Sequence, residues 1–141
     1  MKKVFIDTSI LIAASKSKIG GARYILMQCR KGLLQGYISR YVIYEAKKQV
    51  QLTQLEKQRL NFFLLQCRLR IVDEPETAEI KKYYTFIEEE DAPIVAAAKL
   101  MNVDSLITLN TRDFMSKKLK EYAQPMEIVT PKGFIKVEKD R

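Results

Sequence analysis

The sequence predicts an α/β fold in which helices cover a parallel, doubly wound sheet. Short apolar runs typical of buried strands alternate along the 141 residues with segments whose apolar residues recur at helical spacing. Two of the runs lead into carboxylates, at Asp7 and at residues 110–113. Ligands bind outside the carboxyl ends of strands in open parallel sheets, so a functional site is expected at that edge.

Composition favours one domain and limits the chemistry to carboxylates. A chain of 141 residues can bury one core, and we expect a single domain over residues 1–141, with 138–141 as a frayed charged end. Histidine is absent, which removes the commonest general base and zinc ligand. Cys29 and Cys67 form no CxxC pair and are interpreted as buried apolar residues in a reducing compartment.

The charge balance favours a polyanionic partner. The chain has 25 Lys and Arg against 17 Asp and Glu, a formal charge of +8, and basic side chains bind nucleic acids by releasing counterions. Asp7 interrupts the apolar run that follows Lys2 and Lys3, so no signal peptide is predicted. No apolar run approaches the roughly 18 residues of a membrane span. We therefore expect a cytoplasmic protein that does not contact membranes.

In the first half of the chain, each predicted strand is followed by predicted helices. Ser39 and Thr53 would cap two of these helices, and Glu56 completes a capping box with Thr53. The expected strands are residues 3–6, 36–39 and 70–72. Four helices are expected: one that begins at residue 10, one over residues 22–30, one with apolar positions from 42 to 50, and one from the Thr53 cap to residue 67.

The second half contains the candidate site segments. We expect helices over residues 77–87 and 94–101, a turn over 102–105, a strand over 106–109 with a polar end at 110–113, and a last strand over 127–130. After a turn at residues 131–133, residues 134–137 are expected to continue the sheet or to pack on its edge.

Four carboxylates are candidate site residues, and each has an ordinary structural role as an alternative. Asp7 and Asp91 stand where helices begin and would cap them. Glu45 would be an exposed helix carboxylate paired with a neighbouring polar side chain, and Asp113 would cap the turn that follows it. Asp104 is interpreted only as a turn residue.

If the four acids converge, their mutual repulsion calls for a cation. Two full charges 4 Å apart repel by about 4 kcal/mol at an effective dielectric constant near 20. Oxygen ligands without His or Cys favour Mg²⁺ or Mn²⁺, which retains several waters. Such an ion can polarise a phosphodiester and orient an attacking water.

The acids lie in four sequence blocks that, in their order, resemble the PIN domain. The blocks are Val-Phe-Ile-Asp-Thr-Ser ending at Ser9, Glu45 on a later helix, Glu-Asp-Ala-Pro-Ile-Val-Ala-Ala-Ala at residues 90–98, and Leu-Ile-Thr-Leu-Asn-Thr-Arg-Asp-Phe at residues 106–114. More narrowly, the chain resembles small single-domain PIN proteins, many of which are VapC-type toxins. The resemblance covers nearly the whole chain.

The resemblance implies a three-layer α/β/α fold with a parallel sheet of about five strands and a metal-dependent ribonuclease activity. It implies Mg²⁺ or Mn²⁺ as cofactor, RNA as substrate, and an antitoxin or a second copy of the chain as partner. By resemblance, Asp7 and Asp91 are the metal-binding acids and Glu45 and Asp113 complete the catalytic set. The supporting residues are Thr8, Ser9 and Asn110 as polar groups of the pocket and Arg112 as a phosphate contact, with a surface salt bridge as its alternative.

One position departs from the family pattern. Many PIN domains have an acid soon after the threonine of the strand, where this chain has Leu109 and Asn110. The fourth acid is therefore assigned to Asp113. If Asp113 points away from the others, the site has three acids.

Other functions remain open on the sequence. A PIN-like module could bind RNA or a partner without catalysis, and a nuclease could be a toxin or a housekeeping RNA-processing enzyme. An aspartyl-phosphate enzyme would need Asp-x-Asp after the first strand, where Ser9 occupies the second place. Exposed apolar surface near Tyr24, Phe62 and Tyr84 would serve a homodimer or an antitoxin helix, with burial in the core as the alternative.

Overall fold

Five parallel strands form the centre of the protein. A computed structural model describes residues 1–140, and the strands in it are β1 (Lys2–Ile6), β2 (Leu34–Ser39), β3 (Arg70–Val72), β4 (Ser105–Ile107) and β5 (Glu127–Val129). Their order in the sheet is β3-β2-β1-β4-β5, and every neighbouring pair is parallel. The predicted parallel sheet is confirmed.

Helices cover both faces of this sheet. Consecutive residues of a strand face opposite sides, and Val4, Phe5 and Ile6 of β1 are all fully buried. Both sides are therefore packed, which confirms the α/β/α layering. Within residues 1–140 the helices are α1 (Thr8–Lys16), α2 (Gly21–Arg30), α3 (Arg40–Lys47), α4 (Gln54–Gln66), α5 (Thr77–Lys81), α6 (Ala92–Leu100), α7 (Thr111–Phe114), α8 (Lys117–Ala123) and α9 (Pro131–Lys139).

Both predicted helix caps are present. The Ser39 hydroxyl accepts the backbone N–H of Val42 at 3.2 Å, where α3 begins. At the start of α4, Thr53 accepts the N–H of Glu56 at 3.1 Å, and the Glu56 carboxylate accepts the N–H of Thr53 at 2.9 Å. These bonds satisfy donors that a helix start leaves without intrahelical partners.

The two cysteines are core residues, as predicted. Cys29 and Cys67 are free thiols that are almost completely buried. Burial raises the pKa of Cys29 to about 12 and that of Cys67 to about 11, so neither thiol is a ready nucleophile. In the part of the chain that the structure describes, no helix combines the length and the apolar character needed to span a membrane.

The C-terminal segment folds differently from the prediction. Residues 134–137 belong to the helix α9, so the alternative in which they continue the sheet is wrong. Thr130 begins the helix by accepting the N–H of Gly133 at 3.0 Å, and Pro131 occupies a position that favours helix starts. The helix continues through Lys139, so the expected frayed end is helical that far; residue 141 lies outside the described residues.

Two segments near the expected site also differ from the prediction. The helix expected over residues 77–87 ends at Lys81. Turns follow it, in which the backbone N–H of Tyr83 donates to the carbonyl of Ile80 at 3.1 Å and that of Tyr84 to the carbonyl of Lys81 at 3.2 Å. The polar strand end expected at residues 110–113 is the cap and body of the short helix α7. Helix α3 ends at Lys47, before the expected apolar position 50, and α8 was not predicted.

Candidate active site

The site begins where the neighbouring strands β1 and β4 end. The backbone N–H of Asp7 donates to the carbonyl of Ile107 at 3.1 Å, and the N–H of Thr108 donates to Val129 at 2.9 Å. The ladder bonds thus extend one residue past each strand. Asp7 and Thr108 are thereby placed side by side at the carboxyl edge of the sheet.

Hydroxyl groups fix the orientation of the Asp7 carboxylate. Its Oδ2 accepts the Ser9 hydroxyl at 2.6 Å and the Thr108 hydroxyl at 2.8 Å. Each hydroxyl in turn accepts a backbone N–H, from Leu109 to Ser9 and from Asn110 to Thr108, both at 3.0 Å. Since each hydroxyl has a single proton, these networks direct both protons to Asp7.

Asp7 is also the predicted cap of α1, because its Oδ2 accepts the N–H of Ser9 at 3.4 Å. The carboxylate is 4% exposed. Burial raises the pKa of Asp7, and the hydrogen bonds from Ser9 and Thr108 oppose that rise. Capping and membership of the site are therefore combined in one residue.

Glu45 faces α1, as a site residue should. Its Oε1 accepts the Thr8 hydroxyl at 2.8 Å. Gln49 donates to the backbone carbonyl of Glu45 at 3.2 Å instead of to the carboxylate, so the expected surface pairing is not formed by that side chain. Burial raises the pKa of Glu45, the Thr8 hydrogen bond lowers it, and the charge of Asp7 raises it further.

Asp91 stands at the cap position of α6 without acting as a cap. Its side chain makes no capping hydrogen bond, and within residues 1–140 its Oδ2 is a buried oxygen with no hydrogen-bond partner. Burial raises the pKa of Asp91 to about 7, and the charges of Asp113 and Asp7 contribute to the rise. A buried polar atom without a partner is costly, and a proton, a water or a cation at this oxygen would relieve that cost.

The structure brings six of the eight predicted site residues to one cavity of about 380 Å³. The six are Asp7, Thr8, Ser9, Glu45, Asp91 and Asn110. The remaining two, Arg112 and Asp113, line a neighbouring cavity. Asp113 stays in contact with the first group, because the Asn110 side chain donates to its Oδ2 at 2.9 Å.

The carboxylates suit a cation that keeps most of its waters. Within residues 1–140, no three acidic or thiol side chains come close enough to enclose a metal ion by themselves. Mg²⁺ typically takes one or two protein carboxylates and fills its remaining positions with water and phosphate oxygens. An ion between Asp7 and Asp91 would give the unpartnered Oδ2 of Asp91 a ligand role.

Two residues at the site, Thr108 and Tyr41, were not predicted from the sequence. Thr108 was not singled out, although a polar residue directly after a buried strand beside that of Asp7 is a usable signal. Tyr41 gave no local signal. Its hydroxyl donates to the carbonyl of Glu90 at 2.6 Å, and its backbone N–H donates to Oε1 of Glu74 at 2.7 Å. Tyr41 therefore anchors both ends of the segment from residue 74 to residue 90.

Sequence comparison identifies the family. A family model for the PIN domain matches residues 3–112. The chain belongs to the PIN domain family. Members of this family are nucleases, which are hydrolases. A search of curated protein sequences finds no match to this PIN domain.

Solved structures with the same fold cover most of the chain. It is similar to VapBC2 from Rickettsia felis bound to a DNA fragment of its promoter, with 20% identity, a TM-score of 0.61, and coverage of 91% of this chain and 98% of that one. DNA-bound VapBC from Salmonella typhimurium is 18% identical with a TM-score of 0.62, and the match covers 93% of this chain and 99% of that one. PAE2754 from Pyrobaculum aerophilum is 14% identical with a TM-score of 0.65, and the match covers 99% of this chain and 91% of that one. At these identities the likeness establishes the fold.

Replacing Tyr41 with Phe tests the anchor. Tyr41→Phe keeps the ring and the backbone bond to Glu74 but removes the 2.6 Å bond to Glu90. We expect the free energy of unfolding to fall by about 0.5–1.5 kcal/mol. Amide hydrogen exchange should also accelerate at residues 90–92.

The matched control is Tyr44→Phe, on the same helix, because Tyr44 is 60% exposed. It should change neither quantity. Exchange at residues 90–92 that is equally slow in wild type and Tyr41→Phe would contradict the anchoring role.

Asp91→Asn tests the electrostatic cost of the metal-free site. The folded state holds the Asp91 proton up to a pKa of about 7, whereas the unfolded chain releases it near 3.8. Stability from this group is therefore complete at low pH and is lost as pH rises through about 7. Because Asn does not titrate, we expect the variant to gain on wild type as pH rises from 3.8 to about 7, and to gain no more above that, in urea unfolding with chelator. Parallel pH profiles of the two proteins would refute this.

Proposed function

We propose that this PIN domain is an endoribonuclease that requires Mg²⁺ or Mn²⁺ and hydrolyses RNA phosphodiester bonds. The observation that carries the proposal is the convergence of Asp7, Glu45 and Asp91 on one cavity that contains a buried oxygen without a partner. We further propose that residues 1–141 form the single domain that carries the activity.

Each acid has a distinct role in this proposal. Asp7 and Asp91 hold the ion, and the hydroxyls of Ser9 and Thr108 keep Asp7 in one orientation. When bound, Mg²⁺ or Mn²⁺ polarises the phosphodiester and lowers the pKa of a bound water. Glu45 accepts the proton of the attacking water, since its raised pKa lies closer to the working pH than that of an ordinary carboxylate.

The residues outside the cavity complete the proposed site. Asp113 acts on Asp91 through its charge and through a side-chain hydrogen bond, and the Asn110 amide donates to Asp113 at 2.9 Å. Arg112 is exposed and forms no ion pair with the described residues, which suits a contact to a substrate phosphate. The net charge of +8 supports RNA as the substrate.

We propose that the nuclease is the toxin of a toxin–antitoxin pair in the cytoplasm. Two of the similar structures are VapBC proteins, and each covers more than nine tenths of this chain. The proposed partners are an antitoxin and a second copy of the chain. Tyr24 and Tyr84 are 47% and 37% exposed, whereas Phe62 packs against the core, so the first two offer apolar surface to such partners.

Cleavage of total cellular RNA in the presence of Mn²⁺ tests the nuclease activity. We expect wild type to cut RNA and Glu45→Gln to be slower by about 10²–10⁴-fold, the usual contribution of a general base. Asp7→Asn should abolish cleavage, because it removes the charge that holds the ion. Mn²⁺ should raise the melting temperature of wild type and not that of Asp7→Asn.

Asp104→Asn is the matched control, since Asp104 binds the N–H of Lys3 at 2.8 Å at the opposite end of the sheet. It should cleave like wild type. Undiminished cleavage by Asp7→Asn or in excess chelator would refute the metal-dependent mechanism. RNA binding without cleavage by wild type would instead indicate a non-catalytic binding module.

Expression in a bacterial host distinguishes a toxin from a housekeeping nuclease. We expect wild type to arrest growth and Asp7→Asn, at the same protein level, to leave growth unchanged. The reason is that arrest by a toxin depends on cutting RNA. RNA cleavage in vitro combined with normal growth would favour a housekeeping role.

A further inference from the structure

A second cavity lies beside the acidic one. It measures about 480 Å³ and is formed by the turn after α5 and by α7. Its main lining residues are Tyr84, Phe86, Glu88, Glu89, Arg112 and Asp113. This volume is within the range of small-molecule pockets and accommodates a nucleoside.

A hydrogen-bonded pair of side chains joins the linings of the two cavities. Asn110 lines the acidic cavity and Asp113 lines the second one, and the Asn110 side chain donates to Asp113 at 2.9 Å. The Asp113 charge also acts on Asp91, which lines the acidic cavity. An RNA strand that places a phosphate in the acidic cavity would therefore place a neighbouring nucleotide at the second cavity.

Two aromatic residues, Tyr84 and Phe86, line the second cavity, and Phe86 belongs to an aromatic cluster. Phe86 stacks on Tyr122 with ring centroids 4.6 Å apart and planes at 23°. Tyr122 also meets Tyr83 edge to face at 5.5 Å. Tyr84 is 37% exposed. The exposed ring of Tyr84 offers stacking surface to a planar ligand, and Phe86 beside it is held in place by its stack on Tyr122.

The polar lining combines one guanidinium with several carboxylates. Arg112 can meet a phosphate, while Glu88 and Glu89 are exposed acceptors that form no ion pair with the described residues. Carboxylates accept hydrogen bonds from ring N–H and exocyclic amino groups. Among the RNA bases, guanine presents both of these donors side by side on its Watson–Crick edge.

We propose that the second cavity binds the base of the nucleotide next to the cleaved phosphate in single-stranded RNA, with a preference for guanine. The inference rests on the proposed ribonuclease function. The base stacks on the aromatic lining and donates to Glu88 and Glu89, and Arg112 contacts a neighbouring phosphate. Single-stranded RNA is required because a paired base cannot turn its Watson–Crick edge into a pocket.

Binding of labelled oligouridylates tests the inference in an Asp7→Asn background, which separates binding from cleavage. Each RNA carries one central G, A, C or abasic ribose, and affinity is read by fluorescence anisotropy. We expect the G-containing RNA to bind at least about fivefold tighter than the abasic one, because stacking on an aromatic ring contributes about 1–3 kcal/mol per base.

Two variants separate the contributions of the pocket. Tyr84→Ala should bring the ratio of G to abasic affinity close to one without changing the affinity of the abasic RNA. The double change Glu88→Gln and Glu89→Gln should remove the preference for G over A. The controls Tyr24→Ala, on α2, and Glu127→Gln, on β5, should leave every ratio unchanged.

Equal affinities for all the RNAs, or a G preference that survives both pocket variants, would overturn the inference. Cleavage by wild type with Mn²⁺ is measured in parallel. Cleavage without any base preference would refute the guanine subsite but not the proposed nuclease function. G-dependent binding without cleavage supports the subsite and refutes the nuclease instead.

Discussion

The candidate site depends on the junction between the carboxyl ends of β1 and β4. Ile6 lies opposite Ile107 in the register, and one residue further on Asp7 accepts the Thr108 hydroxyl at 2.8 Å. A slip of one residue would turn one of these side chains to the other face of the sheet. The register is fixed because the strand residues before the junction are buried on both faces, so packing of the core determines where the acids point.

The acids bear the cost of this convergence unequally. Asp7 lies at the start of α1, where the helix dipole favours negative charge and where Ser9 and Thr108 donate to it. Asp91 also stands at a helix start, yet its Oδ2 has no partner within residues 1–140 and its pKa rises to about 7. The electrostatic strain of the metal-free cavity is therefore concentrated on Asp91, where a cation would relieve it.

The predictable parts of the structure are those that short segments encode. The Ser39 cap and the Thr53 capping box were correct because one turn of chain contains all their atoms. The parallel sheet, and the prediction that Asp7, Glu45 and Asp91 meet, followed from the order of the family blocks, which carry long-range information; the order of the strands in the sheet was not predicted. Residues 134–137 were not predicted to be helical because their apolar spacing suits a strand as well as a helix. The Thr130 cap favours the helix.

The roles of Thr108 and Tyr41 depend on partners that lie far away in the sequence. Thr108 bonds across β1 to Asp7, and Tyr41 bonds from α3 to Glu90. The position of Thr108 directly after a buried strand marks it as a candidate, but no pattern within either segment specifies the partner of Thr108 or of Tyr41. They arise only when the sheet and the helices pack, so a single sequence gives no means of assigning them.

The position of Asp113 bears on how many ions the proposed nuclease uses. Its N–H and carboxylate are both engaged by the Asn110 side chain, at 3.3 and 2.9 Å, which holds it at the start of α7 and outside the acidic cavity. Three carboxylates then remain to line the cavity, and Mg²⁺ needs only one or two besides water and phosphate. Asn110 engages only Oδ2 of the Asp113 carboxylate, and Asp113 acts on Asp91 through its charge and a side-chain hydrogen bond. A single ion therefore needs nothing from Asp113, whereas a second ion about 3.5–4 Å from the first would take the Oδ1 of Asp113 as a further ligand.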